Sequence, residues 1–134
     1  MKLSTRSHYG LRMMVDLAQN YQNGPLSITD IAKSQNISSK YLEQIIIPLK
    51  KAKYVESVRG PKGGHLLAKP PEKVSVGEII DLLEKTMDIT VCEKNPDKCN
   101  RSKLCMIRGV LFEANKAMLD KLNSITLSDV VEVA

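Results

Sequence analysis

The sequence predicts a mainly α-helical protein with one small β-hairpin: a winged helix-turn-helix followed by a long helix. Three observations predict it. Apolar residues recur at helical spacing through most of the chain. Serines stand just before several of those runs, where helix N-caps belong. One Gly/Pro-rich stretch, Arg59-Gly60-Pro61-Lys62-Gly63-Gly64, lies between two short runs with strand character, Tyr54–Val58 and His65–Ala68.

Residues 4–22 read as the first helix, capped by Ser4 or Thr5, with Leu11, Met14, Val15 and Ala18 at helical spacing. Asn23-Gly24-Pro25 ends it. Ser27 caps a short helix through Ile28, Ile31 and Ala32, with Asp30 placed for a near capping box. The chain breaks at Gln35-Asn36-Ile37. Ser38 then caps a helix over 39–52 that turns Leu42, Ile45, Ile46 and Leu49 inward. Pro48 lies inside it and should bend or weaken it there. After the hairpin, Pro70-Pro71 closes the unit and Ser75 caps a helix over 76–86. Residues 88–103 are polar and irregular. A long helix over 103–122 and a short one from Thr126 or Leu127 complete the chain.

A length of 134 residues suits one domain, or a small domain with an appendage. With 43% hydrophobic and 26% charged residues the chain is an ordinary globular composition, which excludes intrinsic disorder. No apolar run is long enough to span a bilayer. Tryptophan is absent and Phe112 is the only phenylalanine, so the core must be aliphatic. MKLSTRSHYG contains neither an apolar signal region nor a cleavage site, and reads as a cytoplasmic start.

The net charge of +5 is unevenly spread: residues 1–75 carry +7 and residues 76–134 carry −2. A basic front part and a slightly acidic rear part suggest that residues 1–75 meet a polyanion, while 76–134 have another task. Short helix, turn, capped helix and basic hairpin, in that order, give the polyanion an identity. A helix fits the DNA major groove and a hairpin wing can reach the neighbouring backbone or minor groove.

On the groove-entering turns stand Ser38, Ser39, Lys40, Tyr41, Glu43 and Gln44. Gln44 can pair with adenine, and Glu43 can accept from cytosine N4 while repelling phosphate at wrong sites. Glu43 equally reads as a surface acid. The serines can donate to phosphates. In the wing, Arg59 and Lys62 supply charge, Arg59 suiting a narrow minor groove, and Gly60, Pro61 and Gly63 supply backbone that can approach DNA closely.

The only cysteines, Cys92, Cys99 and Cys105, fall within fourteen residues. Their odd number argues against a disulfide framework. Thiolates are soft ligands that select zinc, copper(I) or iron–sulfur clusters. The spacing Cys-x6-Cys-x5-Cys lacks the close pairs of a structural zinc site and suits a larger object such as a cluster, one ligand short. Three free thiols are the plainer alternative. Enzyme chemistry finds little support: no Cys has a His neighbour, no Gly loop is built to cradle a nucleotide, and no carboxylate pair is placed for acid–base work. That leaves an iron–sulfur carrier or thiol enzyme as a distant alternative, and the few aromatics argue against single-stranded RNA.

These features resemble the IscR-like family of bacterial winged-helix regulators over essentially the whole chain. The likeness rests on Met1-Lys2-Leu3-Ser4, Ser38 with Tyr41-Leu42-Glu43-Gln44, the wing motif, Val76-Gly77-Glu78, the three cysteines, and Asn123-Ser124-Ile125-Thr126-Leu127. The resemblance implies a homodimer joined through the long helix, binding a pseudo-palindromic operator in double-stranded DNA. It also implies a 2Fe–2S, or in some members 4Fe–4S, cluster held by Cys92, Cys99 and Cys105, which tunes the choice of DNA site. Control of iron–sulfur assembly genes, as a repressor, is the expected task; sensing of nitric oxide, redox state or cysteine metabolism is the alternative within the family. The sequence departs from the pattern at Arg108, three residues after Cys105, where assembly regulators often supply a histidine; a protonated Arg is no ligand. Other members use an acidic residue from the partner's N-terminal region, and His8 occupies that place. His8 of the second protomer is therefore the proposed fourth ligand, with Glu93, Asp97 or a small thiol as alternatives, and DNA phosphate contact or junction packing as the competing role for His8.

Overall fold

The computed structural model describes residues 3–84 and 106–133. Helix α1 spans Thr5–Gln19, α2 Ile28–Gln35 and α3 Ser39–Lys51. Strands β1, Val55–Val58, and β2, Gly64–Leu67, form an antiparallel hairpin with Val55 opposite Leu67 and Val58 opposite Gly64. A short 3-10 turn at Pro71–Lys73 leads into α4, Val76–Leu83; α5 spans Arg108–Asn123 and α6 Leu127–Val133.

The caps are the serines expected from sequence. Ser4 accepts from the Ser7 amide, Ser27 from Asp30, Ser38 from Tyr41 and Ser75 from Glu78. Each satisfies one amide that the helix itself leaves unpaired. At Ser75 the Glu78 carboxylate reaches back to the cap amide, completing a capping box. Asn36 ends α2 in the left-handed conformation, φ 54°, which Asn tolerates better than most residues. That single residue makes the tight turn between α2 and α3.

Some boundaries and faces differ from the sequence reading. Helix α1 stops at Gln19, before the Asn-Gly-Pro breaker, with Asn20 as its C-cap and Gln22 beyond it at a positive φ. Its buried apolar side chains are Met13, Met14, Leu17 and Ala18; Leu11 and Val15 are only partly buried. The apolar stripe is thus rotated from the expected one. Helix α3 runs through Pro48 to Lys51, within one residue of the expected end. The long helix begins at Arg108, Met106 and Ile107 forming a turn before it. Residues 85–105, which contain the expected irregular segment, the three cysteines and the first residues of the expected long helix, lie outside the described residues.

One core runs through the described structure. Met13, Leu17, Ile31, Leu42, Ile45 and Leu49 from the helix-turn-helix pack with Val55 and Leu67 from the hairpin and with Ile79, Leu83 and Leu127 from the later helices. Fully burying one such side chain contributes roughly 1.5–3 kcal/mol. The core therefore crosses the boundary drawn at residue 75. Gly77 allows the closest approach: a Cβ there would sit 2.0 Å from Asn123 Oδ1 and 2.9 Å from the Asn123 backbone nitrogen. Beside it the Val76 amide donates to the Ile125 carbonyl and the Leu127 amide to Val74. Two motifs far apart in sequence, Val76-Gly77-Glu78 and Asn123–Leu127, thus form two sides of one contact.

Candidate nucleic-acid interface

Helix α3 buries Leu42, Ile45, Ile46 and Leu49 and exposes Ser38, Lys40, Glu43 and Gln44, while Ser39 is half-buried. The polar residues expected to read DNA therefore lie on the side of α3 away from the core. The Ser38 hydroxyl is engaged as the helix cap, accepting from the Tyr41 amide at 3.4 Å. Tyr41 is half-buried, its ring edge-on to Tyr9 of α1 at 5.8 Å. Its ring thus braces the start of α3 against α1.

A polar bridge holds the turn on the other side. Arg12 of α1 donates through Nε to Gln35 Oε1 at 2.9 Å and through a second guanidinium nitrogen to the Gln35 carbonyl. The Gln35 side-chain amide donates in turn to Asp16 Oδ1 at 2.6 Å. These contacts fix the end of α2 against α1, and the left-handed Asn36 then aims α3. Nothing in the linear pattern points to Arg12 and Gln35 as partners. The sequence pattern puts Gln35 in the break after α2 and gives Arg12 no role.

The wing tip places Arg59, Gly60, Pro61 and Lys62 in solvent, with Gly63 half-buried. Gly60 has φ 115°, open only to glycine without strain, and its carbonyl accepts from the Gly63 amide at 2.9 Å. A Cβ on Gly63 would lie 2.1 Å from the Val58 carbonyl oxygen. The tight turn alone thus requires these glycines, whatever lies beyond them.

The wing is tied back to the helix-turn-helix. Leu26 and His65 exchange backbone hydrogen bonds at 2.7 and 2.8 Å in an antiparallel bridge, so the residue leading into Ser27 and α2 runs beside β2. Gly64 permits that approach, since a Cβ there would sit 2.4 Å from the Leu26 carbonyl. The His65 ring contacts Ser57 Oγ through Nδ1 at 3.2 Å. Burial first, then the Lys50 charge, push its pKa below the ordinary histidine value. On the far side of the hairpin Tyr54 donates to Glu78 of α4 at 2.8 Å, and Lys69 lies 4.5 Å over its ring. Burial and the Glu78 contact push its phenol up to about 12.

Of the four expected metal ligands, His8 is the one among the described residues. His8 is exposed on the first turn of α1, edge-on to Tyr9 at 6.0 Å. It borders a groove with Leu3, Leu11, Arg12, Val15 and Gln35. Among the described residues no three His, Cys, Asp or Glu side chains converge as a metal site. Three thiolates and one accessible imidazole make a chemically apt donor set for a cluster, and His8 is exposed enough to serve. Glu84, the last described residue before that segment, accepts from the Ser4 amide at 2.8 Å. Burial opposes its ionisation, but the Ser4 and Ser7 hydrogen bonds prevail and hold the carboxyl below the usual range. No described helix is long and apolar enough to cross a membrane.

The comparisons with known proteins agree with this architecture. The Rrf2 family model, described as an iron-dependent transcriptional regulator, matches residues 3–133. Protein rrf2 of Nitratidesulfovibrio vulgaris is 43% identical over 134 residues, covering 100% of this chain and 89% of the relative. The structure of CymR, the global cysteine regulator of B. subtilis, superposes with a TM-score of 0.85 at 34% identity, covering 100% of this chain and 98% of that one. T. potens IscR superposes with a TM-score of 0.81 at 38% identity, covering 98% of this chain and 87% of that one. A match that spans nearly every residue, together with the shared fold, shows that the chain belongs to the Rrf2 family of winged-helix transcriptional regulators, as an IscR-like member and not an enzyme.

Proposed function

We propose that the protein is a homodimeric regulator that grips a pseudo-palindromic operator through α3 and the wing, and that Cys92, Cys99 and Cys105 carry an iron–sulfur cluster governing that grip. The observation carrying the DNA-binding part is the outward face of α3, its start fixed by Ser38, Tyr41–Tyr9 and the Arg12–Gln35 bridge, with the wing tied to the same unit through Leu26–His65. In this reading Ser38, Ser39 and Lys40 meet phosphates, Gln44 reads adenine, and Glu43 rejects wrong sites. Tyr41 acts mainly through the pose of α3. Arg59 and Lys62 meet the flanking backbone or minor groove, on a tip whose shape Gly60, Pro61 and Gly63 set. Residues 1–75 thus carry the DNA contacts and residues 76–134 the sensing and pairing roles.

A bound cluster, 2Fe–2S in the leading reading and 4Fe–4S in the other, would supply a redox-responsive link among thiolates. His8 of the partner subunit completes the donor set in the same proposal, and Arg108 is excluded by its charge. The chain's own residues provide the connection to DNA binding. Ser4 caps α1 and its amide binds Glu84, at the edge of the cysteine segment. A rearrangement of that segment would pull on the start of α1, the helix that positions both α2 and α3. The site then works by population shift, which requires two arrangements with different DNA affinity.

The likeness to CymR favours a second reading, in which the same fold responds to cysteine metabolism. An anaerobic absorption spectrum with iron and sulfide counts per chain, combined with selection of duplex DNA before and after removal of iron, tests both. The first reading expects visible absorption, bound iron and sulfide, and an operator preference that changes on iron removal. Operator selection without iron or sulfide, responsive to a thiol metabolite, would install the second. His8→Ala should lower cluster retention and alter the spectrum; an unchanged spectrum and retention remove His8 from the site.

A further inference from the structure

The outward face of α3 has an apolar centre. Ile47 is 54% exposed, although it belongs to a helix whose other isoleucines are buried. At 100° per residue it falls between Glu43 and Gln44 around the helix, and in line with Lys40 and Lys51 along it. All four of these neighbours are exposed. A half-exposed β-branched side chain in the middle of a helix gains little helix propensity and leaves apolar surface in water.

Its surroundings say what covers it. Lys40 and Lys51 bracket it, and Gln44 lies one turn earlier. Cations at both ends of an apolar spot, beside an amide suited to a base edge, complement a major groove, where phosphates form the walls and thymine methyls stand on the floor. A second protein surface would have to bury these polar neighbours as well. From this placement we infer that Ile47 is a specificity residue, its side chain packing on the C5-methyl of a thymine in each half-site. A separation of three residues along a helix is about 4.5 Å. Base pairs rise about 3.4 Å, so that thymine lies one to two base pairs from the one that Gln44 reads.

The inference rests on the DNA-binding role proposed for α3, and its test separates the two. Duplexes are selected from a random pool with the wild-type protein, then resynthesised with each thymine in turn replaced by deoxyuridine, which lacks only the methyl. For the wild type, one position per half-site should weaken binding about fourfold when its methyl is removed, the size expected for one buried methyl. For Ile47→Ala, binding to the parent duplex should fall by about the same factor, and deoxyuridine at that position should cause no further loss. Ile47 is exposed and Ala favours helices, so the variant should fold; circular dichroism and thermal melting verify this. Wild-type binding indifferent to every methyl, or equal sensitivity in Ile47→Ala, overturns the inference and leaves the DNA-binding role of α3 standing. Failure of the wild type to select any duplex, with and without iron, overturns both.

Discussion

Gly77 shows how a single residue can decide the packing of two helices. A methyl at that position meets the Asn123 side chain at 2.0 Å and its backbone nitrogen at 2.9 Å. The side chain can swing away, but the backbone cannot without parting α4 from α5. Gly77→Ala should therefore cost about 1–3 kcal/mol of stability through overpacking, seen as a lower urea midpoint, and Asn123→Ala should only partly restore it. Tyr54 offers a second test at this scale. Its phenol is raised from 10.0 to about 12 in the folded protein. The protonated form is thus favoured by folding, so its contribution is fully present below pH 10 and fades as the pH climbs towards about 12. Tyr54→Phe should lose about 1 kcal/mol near neutral pH, through the lost hydrogen bond to Glu78, and show a shallower decline in stability across that alkaline window.

Among the elements, α3 depends on its first turn. The Ser38 cap leaves one amide fewer to solvate, and replacing such a cap with Ala typically costs about 1 kcal/mol. Ser38→Ala should lower both thermal stability and operator affinity, while Ser38→Asp should keep much of the stability and lose affinity, because its charge faces phosphate. Stability and binding measured on both variants separate capping from contact. The order of elements could be read from the sequence because each carries its own punctuation: serine caps, Asn36, the wing glycines. The rotation of the α1 stripe could not, since Met13 and Leu17 are buried by partners from α3, α4 and α6 that periodicity within one helix does not see. The Leu26–His65 bridge was equally hidden, being a pairing of a lone extended residue with a strand nearly forty positions away. At the candidate interface, the exposure of Lys40, Glu43 and Gln44 was legible from local pattern, but Arg12, Gln35 and the bracing role of Tyr41 depend on tertiary neighbours.

At the scale of the whole molecule, α5 buries the smallest share of its residues among the described α-helices. Of its sixteen residues, Asn115 is the one buried. Ile107 in the turn before it, then Val110, Ala114 and Ala117, are exposed and fall on one stripe at helical spacing, with Leu111 and Met118 half-buried along its edge. Packing against α4 uses a different side, through Asn123 and its neighbours. A stripe of small and branched apolar residues on a helix of this length suits an isologous pairing, in which the same surface serves both subunits. Two reading heads joined that way would be held at a fixed separation, and an operator with half-sites about one helical turn or a multiple apart would engage both at once. Val110→Glu places a charge at the centre of the stripe without disturbing the core. Sedimentation velocity should then show a dimer for the wild type and a monomer for the variant. Operator affinity should fall by at least tenfold, because the second head no longer binds at the effective concentration that linkage provides. A Val110→Glu protein that remains dimeric and binds its operator like the wild type would place the pairing surface elsewhere on the molecule.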